Sequence, residues 1–499
     1  MECNRTKLSS VLSYIMIIVN ITSGLFFTPW LMHRLGTSQY AIYTLGMSII
    51  SYLTIELGIS EIVTRISLKY IIVGNRQQVN RLMSIAIRIY LMIDILILIL
   101  AIVMYFFIDS FFTNLTLSEI DLFRNVFIIC AATVIVIFWE IPFEGLYAAY
   151  GKIYVNRLVG LGYKLSYVLV TVISISLYNS VIIVVLCYAV LTISTKVFLY
   201  LYITRKNNIV IDLHTHDREI TKNLLGMSGW IIIAIVSSRY FYAIIPTLLG
   251  RFSNSFEITT FSVASAVEGY LFLFSNALNG IFLPRITRMA MSNDDEGITD
   301  LLIRIGRIQL MIISCIIIGI IGFGQEFISF WVGSEYKNAY VCLILILIPC
   351  IVHLTQTVAL EATFAKNRIR ERAIVYAVGT IISTVLTCIL APEFGAIGAA
   401  IGICVAELLC YEIGMNFVYK KMLNINIRHF FVQTHLKLLP PLIISLMTAF
   451  VVNQLIEEST IIVFLTEVGI WAAIHLILLY TLGCNTSEKD VIKAILMYR

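Results

Sequence analysis

The sequence predicts an all-α polytopic membrane protein. Only 13% of its 499 residues are charged, about half the share of roughly 25% found in soluble globular chains. Its mean hydropathy is +0.92, and its apolar runs are about 20 residues long, which is the length a helix needs to cross a bilayer. Membrane β-strands are shorter and alternate in polarity, so these runs predict a helical bundle.

The apolar runs predict fourteen transmembrane spans. In chain order they cover residues 11–33, 41–62, 83–108, 123–147, 157–178, 180–203, 223–249, 259–282, 304–325, 338–362, 373–392, 394–418, 438–454 and 460–483. We expect two pseudo-symmetric six-helix lobes, two additional helices and a short tail. Their predicted bounds are 1–203 (N-terminal lobe), 223–418 (C-terminal lobe), 438–483 (additional helices) and 484–499 (cytoplasmic tail).

The distribution of basic residues predicts the orientation of these spans. With the N-terminus in the cytoplasm, the inner segments hold 26 of the 35 Lys and Arg residues, whereas the outer loops hold only Arg34, Arg251 and Lys337. Both termini are therefore predicted to be cytoplasmic. All the loops are short, which leaves no room for a soluble domain and argues against most membrane-bound enzymes.

A weak internal repeat supports the two lobes. Pro29 is followed by a Leu-Gly pair, a second span and Arg65, and the same order recurs from Pro246 to Arg285. The Pro-to-Arg distances are 36 and 39 residues. An even number of helices per repeat predicts parallel repeats, as in transporters whose two halves move around a central site.

Charged residues inside the spans are the candidate functional groups, because a central charge costs about 2.5–3.5 kcal/mol on insertion scales. Basic groups from several helices could form a chamber for a pyrophosphate, whose oxygens guanidinium binds in a bidentate manner. The predicted binding residues are Arg239, Arg88, Arg65, Lys164 and Lys196. The alternative is that Arg65, Arg88 and Lys196 extend to the inner lipid headgroups.

Acidic residues within the spans are candidates for ion coupling or gating. They are Glu56, Asp94, Glu140, Glu144 and Glu268. Glu140 and Glu144 are four residues apart and would share a helix face, as in a proton carrier; the alternative is that each pairs with Arg88 or Lys152. Arg239 and Glu268 are predicted at the same depth of adjacent helices, where they could form an ion pair.

Motifs for enzymes and metals are incomplete. The segment 145–152 resembles a phosphate-binding loop but has five residues between its glycines and an isoleucine, Ile153, where Ser or Thr must hold magnesium. His214 and His216 lie near two aspartates in an inner loop, a pattern we interpret as polar rather than metal-binding. We therefore expect no enzymatic activity, no cofactor, no metal and no nucleic-acid partner.

The first two spans resemble the bacterial polysaccharide transporters, the O-antigen and capsule repeat-unit flippases of the multidrug/oligosaccharidyl-lipid/polysaccharide exporter superfamily. The matching segments are Gly24–Pro29, Leu35–Tyr43, Glu56–Gly58, Arg65 and Tyr70. Relatives usually carry Asp where Glu56 stands and Gly where Ala41 stands. The resemblance covers about 60 residues, and length, span number and the two-lobe pattern extend it over the chain.

The resemblance implies a substrate and a mechanism. The substrate would be an undecaprenyl-pyrophosphate-linked oligosaccharide of O-antigen or capsule, moved between the leaflets of the bacterial inner membrane by alternating access, with coupling to protons or sodium. Membrane lipids, a polysaccharide polymerase and a chain-length regulator would be its partners. The alternatives are a multidrug cation exporter of the same superfamily, a membrane polysaccharide polymerase, and a channel or scaffold.

Overall fold

The computed structural model describes residues 2–54, 58–225, 229–454 and 460–490, except for the side chains of 2–10, 223, 225, 274–281, 283 and 284. Every regular element in these ranges is helical. The α-helices are α1 (Glu2–Leu53), α2 (Ile59–Ile72), α3 (Arg76–Phe111), α4 (Leu117–Phe138), α5 (Pro142–Ala149), α6 (Ile153–Leu177), α7 (Val181–Asn207), α8 (Arg218–Leu225), α9 (Gly229–Ala243), α10 (Ile245–Phe252), α11 (Ser255–Met291), α12 (Asp295–Trp331), α13 (Lys337–His353), α14 (Thr357–Ala365), α15 (Ile369–Ala406), α16 (Met415–Met422), α17 (Ile427–Phe431), α18 (Lys437–Gln454) and α19 (Ile461–Leu478). Short 3₁₀ segments (Ser334–Tyr336, Leu354–Gln356) and π-helical segments (Glu407–Gly414, Val432–Leu436, Leu479–Gly483) link some of them.

Many of these helices are long and apolar enough to cross a bilayer. The described ranges contain ten such segments, or eleven if α9 and α10, which meet at 45°, count as one span. The chain is therefore a multi-pass helical membrane protein, which confirms the predicted class. The count of fourteen spans and the symmetry of the lobes stay predictions.

Glycines break two of the longest segments. The segment Val11–Leu53 has 43 residues and Ile369–Met422 has 54, whereas about 20 residues cross a bilayer. Gly36 (φ +73°) and Gly395 (φ +54°) interrupt the helical dihedrals inside them. With ψ values of 167° and −130°, these two residues lie in regions of positive φ that side chains other than glycine rarely adopt, so each long segment is interrupted at a position its sequence permits.

By internal contacts the chain divides into two compact units. The first comprises Met1–Ser262 and Thr384–Ala399, and the second comprises Val263–Ser383 and Ala400–Arg499. This division does not follow the predicted lobe boundaries near residues 203 and 223, because it assigns the segment up to Ser262 to the first unit. This division therefore does not test the predicted lobes, and they stay a prediction.

Polar contacts bring the C-terminal helices of the second unit together. The buried Trp471 indole donates to the Ser445 carbonyl (3.1 Å), and His475 Nδ1 lies 2.7 Å from the Ser445 hydroxyl, which joins α18 to α19. Arg307 of α12 is 5% exposed and binds Glu488 at 2.7 Å. These buried partners hold the described part of the predicted tail against the helices.

Candidate functional site

The first unit contains a polar cavity of about 470 Å³. It is lined by residues of α1, α5, α6 and α7, four helices that belong to this unit. Its polar lining residues are Glu144, Tyr147, Asn156, Arg157, Tyr163, Tyr188, Thr192, Thr195 and Lys196. Two of these, Glu144 and Lys196, are among the residues predicted from the sequence.

A proline shapes the acidic side of the cavity. Proline has no backbone N–H and its ring excludes a continuous helix through it. Accordingly α4 ends at Phe138, and α5 begins at Pro142 after a three-residue turn. Glu140 lies in that turn, so the helix is interrupted inside the predicted span 123–147, although Leu117–Ala149 still forms one segment long enough to cross a bilayer. The break directs Glu140 and Glu144 toward one partner although they are not on one continuous helix.

A glycine then holds α5 close to α2. A Cβ added at Gly145 would fall against the Ser60 carbonyl oxygen, so only glycine allows this approach. The Ser60 hydroxyl donates to the Ile141 carbonyl (3.0 Å), and the Thr64 hydroxyl donates to the Gly145 carbonyl (3.1 Å). Both bonds flank Glu144 in the chain, so α2 fixes the position of this carboxylate.

A three-residue ion cluster lies where α5 faces α7. The Tyr147 hydroxyl donates to the Leu199 carbonyl (2.7 Å) and ties the two helices together. Lys196, three residues before Leu199, places its Nζ 2.7 Å from Glu140 and 3.1 Å from Glu144. The side chain of Glu140 is 2% exposed, that of Lys196 23% and that of Glu144 43%. One cation therefore bridges a buried and a half-open carboxylate at the cavity wall.

This cluster bears on two interpretations of the glutamates. The sequence left open whether they act as a proton carrier or pair with a basic neighbour, such as Arg88 or Lys152. In the structure both carboxylates pair with a basic neighbour, Lys196, while a role in proton coupling stays a prediction. Lys152 instead donates to the Asn207 amide oxygen (2.7 Å). Lys196 accordingly binds acids rather than reaching for lipid headgroups, which was the alternative for this residue.

Arg88 contacts the inner loop that follows α7. Its guanidinium donates to the Thr215 carbonyl (2.9 Å) and lies 3.1 Å from His216 Nδ1. The same loop is tied to α3 by the Asp212 N–H, which donates to Ser84 (2.9 Å). Hydrogen bonds from the His214 N–H and the Thr215 hydroxyl lower the pKa of the Asp212 carboxyl below its ordinary value. The structure therefore places Arg88 at a loop anchor.

Tyrosines that the sequence reasoning did not single out form the other side of the cavity. Tyr163 hydrogen-bonds Thr192 (3.0 Å) and stacks on Tyr167, with ring centroids 6.2 Å apart. The Tyr167 hydroxyl in turn lies 3.3 Å from that of Tyr43. A usable signal existed, because Tyr163 and Tyr167 are four residues apart within one apolar span and therefore share a helix face.

The other predicted basic residues lie elsewhere in the described chain. Arg65 on α2 and Arg239 on α9 are exposed. Lys164 on α6 is half-buried and does not line the cavity. Of the five basic residues predicted to bind a phosphate, Lys196 is thus the one that lines this cavity. The ion pair predicted for Arg239 with Glu268 stays a prediction.

The other predicted acids are dispersed. Asp94 on α3 is 5% exposed, and neither of its carboxyl oxygens has a hydrogen-bond partner in the described part of the chain. Glu268 on α11 is also 5% exposed and belongs to the second unit. Glu56 lies outside the described residues. The coupling or gating role of these three acids stays a prediction.

No group of three or more His, Cys, Asp or Glu residues in the described ranges is arranged to hold a metal ion. The pair His214 and His216 is used locally, since His216 Nδ1 contacts the His214 carbonyl (2.6 Å). The described groups of the cavity are suited to ionic and hydrogen-bonding recognition.

Comparison with known sequences gives one distant relative. The chain is similar to the probable low-salt glycan biosynthesis flippase Agl15 of Haloferax volcanii, with 22% identity over 183 residues. The match covers 36% of this chain and 39% of the relative, so it spans well under half of either protein. No protein-family model matches the chain.

Comparison with solved structures covers far more of the chain. The lipid II flippase MurJ, in an inward closed conformation, matches with a TM-score of 0.68 and 14% identity over 98% of this chain and 99% of that one. An inward-facing multidrug resistance MATE transporter matches with a TM-score of 0.63 and 12% identity over 85% and 98%. A transporter of the same superfamily from Pyrococcus furiosus matches with a TM-score of 0.52 and 12% identity over 83% and 95%. The chain therefore shares the fold of these solved transporters, as the resemblance of its first two spans predicts.

Proposed function

We propose that this chain is a flippase that moves undecaprenyl-pyrophosphate-linked oligosaccharide repeat units, of O-antigen or capsule, across the bacterial inner membrane. It acts by alternating access and leaves the substrate chemically unchanged. The observation that carries the proposal is the polar cavity with Lys196 at its wall, inside a fold shared with a lipid II flippase. The partial match to a glycan biosynthesis flippase supports the same substrate class.

The cavity residues suggest how such a headgroup is held. Lys196 and Arg157 are the cations of the cavity lining, and cationic donors form the strongest hydrogen bonds to phosphate oxygens. Tyr163 of α6, with Tyr188 and Thr192 on the same face of α7 as Lys196, supplies aromatic faces and hydroxyls for a sugar. We assign the diphosphate to the cations and the first sugar to the tyrosines. Arg239, Arg65 and Lys164 remain proposed contacts at other stages of transport.

The membrane topology is part of the same proposal. We count the ten long apolar segments, with two crossings each for those broken at Gly36 and Gly395. The bent pair α9–α10 and the 37-residue α11 add one crossing each, which gives fourteen. An even number of crossings places both termini on the same side of the membrane. The loops on that side are rich in Lys and Arg, which identifies it as the cytoplasmic side. We propose that these crossings form two pseudo-symmetric six-helix lobes and two additional helices, with a polymerase and a chain-length regulator as partners in polysaccharide assembly.

The direct test is translocation of a labelled lipid-linked oligosaccharide in proteoliposomes. We expect transport by the native chain and at least a tenfold loss in the double variant Glu140→Gln/Lys196→Met, which leaves no unpaired buried charge. Lys206→Met, which removes an exposed cation in the last turn of the same helix, α7, outside the cavity lining, is the matched control and should keep transport within twofold. Equal rates in protein-free vesicles and in vesicles with the native chain would refute the proposal.

Ion coupling is tested in the same vesicles. We propose that a proton or sodium gradient drives transport, with the acids of the spans as the coupling groups. An ionophore that collapses the gradient should then slow transport at least fivefold. Rates that do not change with the ionophore would eliminate the coupling and leave the flippase assignment intact.

A second candidate function has one observation in its favour. Multidrug exporters share the fold, with a TM-score of 0.63 for one of them, and the cavity is lined by Glu144, a glutamate that could receive a cation. Export of a fluorescent organic cation from the same proteoliposomes, without movement of the lipid-linked oligosaccharide, would favour this function over flipping.

A further inference from the structure

An apolar groove of about 680 Å³ lies along the same helix pair that closes the polar cavity. It is formed by α1 and α6 of the first unit, and its main walls are Ile18, Phe26, Phe27, Trp30, Leu165 and Val168. Two hydroxyl residues, Thr22 and Ser23, also line it, and the Ser23 hydroxyl donates to the Asn20 carbonyl (3.2 Å). The groove is thus mainly apolar, and the Ser23 hydroxyl within it has a hydrogen-bond partner.

The groove and the polar cavity are neighbours along the helix pair α1 and α6. Met16 lines the cavity and Ile18 lines the groove, only two residues further on. At this junction Gly160 lets α6 approach α1, since a Cβ there would lie 3.1 Å from the Met16 Cε. Aromatic rings make a second connection deeper in the unit, where Phe27 of the groove packs edge-on against Tyr167 (5.8 Å).

The depths of the two sites follow from the direction of the helices. Both α1 and α6 run outward from the predicted cytoplasmic face. The cavity, which includes Arg157 and Lys196, therefore opens in the inner half of the membrane, and the groove continues into the outer half. From Met16 to Trp30 a helix rises about 21 Å. The helix pair α1 and α6 thus has the cations of the cavity near one end and the long apolar groove toward the other.

We infer that the α1–α6 groove holds the polyisoprenoid chain of the substrate while its diphosphate and first sugar occupy the polar cavity. This rests on the proposed function. Charge complementarity indicates the occupant of the groove. The neighbouring cavity contains Arg157 and Lys196, so a molecule whose chain lies in the groove should carry an anionic headgroup. A single long chain fits a seam formed by two helices, and Met16 and Gly160 mark the point where headgroup gives way to chain.

The experiment is photo-crosslinking with undecaprenyl pyrophosphate that carries a diazirine in its chain, on the full-length protein in nanodiscs. We expect labelled peptides from residues 11–33 and 157–178, and we expect excess inorganic pyrophosphate to reduce this labelling at least fivefold. Val168→Trp, which fills the groove, should reduce it to a similar extent. Leu169→Trp is the matched control, because Leu169 is the adjacent residue, is 62% exposed and does not line the groove.

The arms separate the possible failures. A diazirine phospholipid that labels the same peptides to the same extent, or labelling that pyrophosphate does not reduce, would show that bulk lipid fills the groove and would overturn the inference. Labelling of the native chain outside residues 11–33 and 157–178 would also overturn the inference, and this outcome needs no variant protein. Absence of pyrophosphate binding by calorimetry would instead count against the proposed function, whatever the crosslinks show.

Discussion

Removing Lys196 should show how much the buried ion cluster contributes to the free energy of unfolding. Lys196→Met leaves the Glu140 carboxylate, 2% exposed, without its partner at 2.7 Å. Breaking a buried pair from one side costs about 3–5 kcal/mol, because a charge stays unpaired. Since Lys196 is itself 23% exposed, we expect the lower end, about 3 kcal/mol. Glu144→Gln removes a 43%-exposed partner and should cost only about 0–1 kcal/mol.

The assay is reversible unfolding in mixed micelles, followed by tryptophan fluorescence. The double variant Glu140→Gln/Lys196→Met removes both charges and should lie within about 1 kcal/mol of the native chain, since replacing a whole buried pair is often neutral. The double-mutant cycle should therefore give a coupling energy of about 2–3 kcal/mol. Additive losses in the single and double variants would show that Lys196 and Glu140 do not depend on each other, and the reasoning would fail.

Three further outcomes follow from contacts outside the cluster. Gly145→Ala should cost more than about 2 kcal/mol in the same unfolding assay because its Cβ meets a carbonyl of α2, whereas Gly162→Ala, with nothing within 4 Å, should be neutral or gain up to about 1 kcal/mol. Burial by itself would raise the pKa of the Glu488 carboxyl, but hydrogen bonds from Arg307 and the Asn485 N–H, together with the Arg307 charge, outweigh burial and hold this pKa below its ordinary value. This pair should therefore stabilise the protein above the ordinary Glu pKa and lose that contribution as pH falls through the lowered value; Glu488→Gln should remove this pH dependence of unfolding. Arg88→Gln should free the inner loop after α7 and speed its cleavage by a protease added from the cytoplasmic side.

The membrane class and most span positions could be predicted because hydropathy reports each helix independently of its neighbours. The break at Gly36 falls in a predicted loop, and positive φ at glycine explains it. The break before Pro142 was missed, because the apolar run continues through it and hydropathy does not register a missing backbone donor. Local backbone chemistry therefore sets a helix break within a span that composition alone could not place.

The site was predictable only in part, for a different reason. The sequence identified Lys196, Glu140 and Glu144 individually, since charges within spans are costly and conspicuous. Which groups meet depends on the packing of α5 against α7, about 50 residues apart, and no periodicity encodes that contact. Tyr163 and Tyr188 were overlooked because aromatic residues within apolar spans ordinarily serve as packing.

The ion cluster also provides a way to couple substrate binding to protons. In the proposed mechanism the substrate diphosphate competes with Glu140 for Lys196, and a carboxylate left unpaired at 2% exposure takes up a proton, because a buried unpaired charge is expensive. We therefore predict that pyrophosphate binding is accompanied by uptake of roughly one proton near neutral pH. Calorimetric titration in two buffers of different ionisation enthalpy measures this number directly. Glu140→Gln, which cannot ionise at that position, should bind pyrophosphate with a smaller proton uptake, while Glu144→Gln serves as the control at the more exposed acid. A binding enthalpy that is the same in both buffers for the native chain would mean that Lys196 does not leave its carboxylate when the anion arrives, and the cluster would then be a structural lock rather than a coupling device.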